Sequence, residues 1–210
     1  MSVIIIANYE GESFEVEIFH DGSIEFPGRD LQYEQALAEF YPPGSPIVQF
    51  SKMWHYAAVI FKQLELPRNV KPRLAADFAE HVLRFFEGEH PHDRRPRAAI
   101  EAARDFLDEK IDRATLAAAQ RAALASAEAD TGGTGAAVAA AAAWAATCAA
   151  GDATVWAAAQ SAGYVVSSDS GSPEWQQAYD AERAWQVRRF VDCMEAIGQG
   201  KDWPDIGVTT

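Results

Sequence analysis

Cysteine is scarce in this chain of 210 residues: only Cys148 and Cys193 occur, and neither sits in a Cys-x-x-Cys or Cys/His spacing. Two such residues inside predicted helices read as reduced, buried thiols, which argues against a disulfide scaffold and a zinc site. Basic residues are also few. Lys and Arg number 18 against 31 Asp and Glu, for a formal charge of -13. That surplus repels phosphate backbones and anionic headgroups, so it argues against nucleic-acid and membrane partners and favours a basic one. Long apolar runs are missing. The stretch Gly132 to Gly151 is low in charge but nearly all Ala, without the Leu, Ile and Val that insert helices into bilayers. The apolar start, Val3 to Ala7, stops at Asn8 and lacks a basic flank, so it reads as a strand and not a signal peptide, and the expected location is the cytoplasm.

Catalytic motifs are lacking as well. There is no Gly-x-Ser-x-Gly elbow and no His-Glu-x-x-His. The glycines of Thr131 to Gly135 precede no Lys-Ser/Thr, so this segment is a linker and not a phosphate loop. Paired carboxylates are common only because acids are common. The expectation is a protein that is not an enzyme and has no cofactor.

What is present is enough to fold. Hydrophobic residues make up 49% of the chain, with six Trp and eleven Phe, well beyond what a disordered chain carries. Val3 to Ile6, then Phe14, Val16 and Ile18 alternating with Glu15 and Glu17, then Ile24 to Phe26, predict three strands joined by Gly turns. Three strands need a cover, and Asp30 to Phe40 predicts a helix to supply it. The expected fold class is α+β, mainly α: an N-terminal β-β-β-α module over 1–41, a helical domain over 42–198, and a poorly fixed tail over 199–210. Within 42–198, Val48 to Leu66 predicts an apolar helix; Leu74, Phe78, Val82 and Phe85 mark a second. Pro96 opens a third, Asp112 caps a fourth and Pro173 opens the last. About half the residues from Ala114 to Ala162 are Ala, the strongest helix former and a thin one, so the expected core is an Ala-rich multi-helix bundle or αα stack with Trp144, Trp156 and Tyr164 as anchors.

The run Asp93-Arg94-Arg95-Pro96-Arg97-Ala98-Ala99-Ile100-Glu101-Ala102-Ala103-Arg104 ahead of this Ala-rich region resembles immunity proteins found beside bacterial polymorphic toxins. Similar segments occur in bacteriophage proteins. The resemblance covers about 74–197 and includes Glu182 to Gln186. It implies a helical, non-catalytic inhibitor that neutralises a protein partner, a toxin or a component of a defence system.

Three surfaces are candidates for that contact. Arg94, Arg95 and Arg97 sit at one helix entrance, with Glu101 and Arg104 further along the same helix, and the three arginines either grip a carboxylate or phosphate or tie Asp93, Glu87 and Glu101 across neighbouring helices. Arg97 with Glu101 and Arg104 with Asp108 are spaced for pairs along that helix. Trp175, Tyr179 and Trp185 lie among arginines on the last helix, either as interface anchors or as core filling. Glu15 and Glu17 share one strand face and offer a negative stripe to a basic partner. Two other readings remain open. One is a metal-binding enzyme built on His81, His90, His92 and Asp93, although no second spaced ligand pair accompanies them. The other is a structural homodimer formed through the aromatic helix.

Overall fold

A computed structural model describes residues 2–9, 12–19, 24–25, 66, 69–129, 158 and 172–204. The chain divides into two compact units, residues 67–183 with 206–210 and residues 1–66 with 184–205. In the first unit lie helices α1 (Val70–Glu89), α2 (Arg95–Leu107) and α3 (Arg113–Ala129). Helix α4 (Pro173–Gly198) begins in this unit and runs into the other.

Helix α1 carries most of the described core. Val70, Leu74, Phe78, Val82, Leu83 and Phe86 are all buried, with Ala75, Ala76 and Ala79 between them. Burial is unbroken over 74–79 and confined to one face beyond it, where Arg84, Gly88 and Glu89 are exposed, and each fully buried large side chain contributes about 1.5–3 kcal/mol. Helix α2 buries a narrower stripe, Pro96, Ala99, Ile100 and Ala103, and packs against both α1 and α3. The chain reverses in five residues between α1 and α2. Glu87 near the end of α1 meets Arg97 near the start of α2, and Arg73 near the start of α1 meets Asp108 just past the end of α2, so the two helices run antiparallel.

The helix ends are chemically specified. Asp93 Oδ1 accepts the Arg95 backbone N–H at 3.0 Å, and Asp112 Oδ1 accepts that of Thr115 at 2.8 Å, each satisfying an amide that the first turn leaves without an intrahelical partner. Beyond α2 the Lys110 N–H bonds to the Asp105 carbonyl and the Glu109 N–H to that of Phe106, the double closure of a Schellman motif. Its left-handed residue is Glu109, at φ 58°, where glycine is the usual occupant. The same pair of bonds closes α4, from Lys201 to Ala196 and from Gly200 to Ile197, and there the left-handed residue is Gly200 at φ 65°.

The structure corrects the expected α+β class. Near the N-terminus, β1 (Ser2–Tyr9), β2 (Glu12–Phe19) and β3 (Ile24–Glu25) pair antiparallel in the order β1-β2-β3. Ile4, which the register places on the face of Glu15 and Glu17, is 56% exposed, and every residue described as buried lies on a helix. The helix expected over 30–40 falls outside the described residues, so no β-β-β-α module is supported and the described packing is that of an α protein. Alternation reports which residues can pair across strands. It does not report whether the pairing packs on anything.

Of the expected Ala-rich core, only α3 and residue 158 are among the described residues. Of the Ala-rich stretch, α3 buries only Ala123 and Ser126, while Leu116, Ala119 and Leu124 are half-buried. Alanine raises helix propensity but yields little apolar area, and the larger side chains of α1 supply that area. Ala158 is buried. The expected helix over 48–66 and the anchors Trp144, Trp156 and Tyr164 lie outside the described residues, apart from residue 66.

Candidate functional site

The charged side chains between α1 and α2 form one continuous seam. Arg104 reaches Asp77 at 2.8 Å and Glu80 at 2.5 Å; Arg97 reaches Glu87 at 2.5 Å and Glu80 at 3.6 Å. Asp108 beyond α2 pairs with Arg73 at 2.5 Å and Lys110 at 3.1 Å. Antiparallel packing places acids of α1 opposite bases of α2, so the seam encodes the register between the helices.

Arg97 and Arg104 therefore turn across to α1, and the expected pairs along α2 give way. Asp77 explains why. Its side chain is only 2% exposed, and a buried carboxylate needs the Arg104 cation far more than Asp108 does, which is 34% exposed and is met by Arg73 and Lys110. Burial opposes ionisation of Arg104, yet Glu80 and Asp77 outweigh it and raise its pKa above the ordinary value. The hydrogen bond from Arg97 holds the Glu87 carboxyl below its ordinary value, against a smaller effect of burial.

A second cluster sits at the α1–α2 turn. Arg95 donates to both oxygens of Asp93, at 2.9 Å from Nε and 2.6 Å from Nη2, and the buried Ser126 hydroxyl of α3 donates to Oδ2 at 2.8 Å. The Arg95 guanidinium chiefly, with the Arg95 amide and Ser126, holds the Asp93 carboxyl far below the usual carboxylate range. Asp93 thus ties the turn, α2 and α3 together. Of the expected ties, Arg97 with Glu87 spans two helices, whereas Arg95 with Asp93 is local to the turn.

That leaves Arg94 and Glu101, both exposed and without a side-chain hydrogen bond among the described residues. Arg94 contributes a small attraction to Glu87, and Glu101 one to Arg97. A comparison with family models matches residues 68–193, more than half of the chain, to the Imm-5 like putative immunity protein family. The chain belongs to that family. No curated protein and no solved structure matches it.

On α4 of this immunity-family chain, Trp175 stacks on Tyr179 with ring centroids 4.8 Å apart, and the Arg183 guanidinium lies 5.6 Å from the Tyr179 ring centre. Trp175 is buried, while Tyr179 and Trp185 are half-buried. A ladder of residues spaced by four stiffens one face of the helix and leaves little of Trp175 for a partner. On the N-terminal strands, Glu15 is exposed and stands opposite Ile6, and Glu17 is half-buried opposite Ile4 and Glu25.

The four residues proposed for a metal are not brought together. Among the described residues no group of three or more His, Cys, Asp and Glu is placed to hold a metal ion. His81 Nδ1 lies 2.7 Å from Glu182 Oε2, whose side chain is 2% exposed, while His90 packs against Phe86. His92 is exposed. No described helix is long and apolar enough to cross a membrane.

Sequence reasoning missed the buried polar positions Asp77, Glu182, Gln186 and Arg189. Asp77 carried a usable signal, since it adjoins Phe78 on the apolar face marked by Leu74 and Phe78. The others lie on a helix with weak periodicity, where nothing separates inward from outward polar residues.

Proposed function

We propose that this chain is an immunity-type inhibitor that binds a protein partner, a toxin or a defence-system component, and neutralises it without turnover. The observation that carries the reading is the family match over 68–193, a span that contains the α1–α2–α3 seam. Its chemistry agrees with a rigid binder. Arg97 and Arg104, which looked available for a ligand, hold α1 and α2 together, which fixes the shape of the surface they belong to.

Contact then falls to the side chains left outward, with Arg94 and Glu101 on the edge of α2 as the first to test. The acidic balance of the whole chain favours a partner with a basic face, and Glu15 and Glu17 extend that field at the N-terminus. Purification of a tagged chain from its native cells, with bound protein identified by mass spectrometry, tests the reading. One protein retained at a fixed ratio and lost on Arg94→Ala/Glu101→Ala supports it. Recovery of the chain alone at physiological salt counts against it.

A further inference from the structure

Beyond Gly198 the chain does not run away from α4. The left-handed Gly200 reverses it, and four residues later the Pro204 carbonyl accepts a hydrogen bond from the Arg189 guanidinium, which is itself buried. Residue spacing sets which face of α4 the two ends of this return path share. Arg189, Cys193, Ala196 and Gly200 are separated by four, three and four positions, so they form one stripe along α4. Each of the first three is at most 9% exposed. An extended segment of four residues covers about 13 Å, close to the length of helix between Gly200 and the reach of the Arg189 side chain. Along it Lys201 and Asp202 are exposed, whereas Trp203 and Pro204 are half-buried.

We propose that residues 201–204 form a clasp over the last turns of α4, anchored by Arg189 and reversed by Gly200, and that this clasp keeps Cys193 from solvent. The device is conformational: opening it bares a stripe of small side chains with one guanidinium at its end. Both fixed points are residues whose chemistry is hard to replace. A Cβ on Gly200 would meet nothing within 4 Å, so substitution there acts through the backbone angle and not through a clash.

Cys193 reports the state of the clasp. The full chain is treated with a thiol-alkylating reagent under native conditions, and the rate at Cys193 is read by peptide mass mapping, which separates it from Cys148. Gly200→Val, a β-branched residue forced to positive φ, should raise the rate about tenfold, whereas Gly200→Asn, which tolerates that region, should leave it near the unaltered value. Arg189→Leu, which keeps the bulk and removes the donor, should also raise it, with circular dichroism confirming unchanged helix content. If Arg189→Leu lowers the helix content, the Gly200 pair alone decides. Equal rates in Gly200→Val and the unaltered chain overturn the clasp, as do equal increases in Gly200→Val and Gly200→Asn.

Discussion

Replacing Arg104 by alanine takes from Asp77 the guanidinium that sits 2.8 Å from its carboxylate, and takes from Glu80 a contact at 2.5 Å. The size of the effect follows from burial. An exposed ion pair contributes about 0–1 kcal/mol, while breaking a fully buried one costs about 3–5 kcal/mol because a charge is left in a poor solvent. Here Asp77 is 2% exposed but Arg104 is 33% exposed, so the pair lies between those limits. We expect Arg104→Ala to lower stability by about 2–3 kcal/mol, a mid-range value for a half-buried charged pair. Asp77→Ala should cost less than Arg104→Ala, because it removes the group that most needs compensation. The double variant should show a coupling of about 1–2 kcal/mol. Urea unfolding followed by circular dichroism measures all four species. A loss below about 0.5 kcal/mol for Arg104→Ala, the range of an ordinary surface change, would refute the reasoning.

The remaining predictions concern the turn and the acid limb of stability. Glu109→Gly should stabilise the chain by about 0.5–1 kcal/mol, since relief of a left-handed non-glycine residue outweighs the greater entropy of glycine in the unfolded chain; a lower urea midpoint would contradict this. Glu87 and Asp93 are held below their ordinary values when folded, so their contribution is present above those values and is lost as pH falls through the ordinary carboxylate range toward the folded values. Unfolding midpoints should therefore drop as pH falls below 4.5, the ordinary value for Glu87, and Arg97→Met should flatten that drop. An unchanged pH slope in Arg97→Met would show that the Glu87 contact does not contribute.

Much of the helical part was legible because its signals are local. Leu74, Phe78 and Val82 at spacings of four mark one face of α1, Pro96 sits in the first turn of α2, and Asp112 caps α3, each from chemistry confined to one turn. What failed depends on packing between elements. Alternation in 14–18 gives the strand pairing but not the element that covers it, and the Ala content of α3 gives the helix but not its narrow buried face of Ala123 and Ser126. The seam was half legible. Arg95 and Arg97 read as ties to Asp93 and Glu87, but the partner of Arg104 could not be read, because Asp77 lies 27 residues away and its burial depends on the docking of α2 against α1. Gly200 suggested only the end of a helix. The return to Arg189 depends on its positive φ and on the fold of the following four residues.

The measurement that bears most directly on the central claim is a titration. With the partner in hand, its activity is followed as the chain is added in known amounts. Binding without turnover predicts a linear fall that reaches its floor at a fixed stoichiometry, with the partner recovered chemically unchanged and active after the complex is dissociated. Inactivation by a small fraction of an equivalent, or a partner left covalently altered, would contradict the account and make this chain an enzyme.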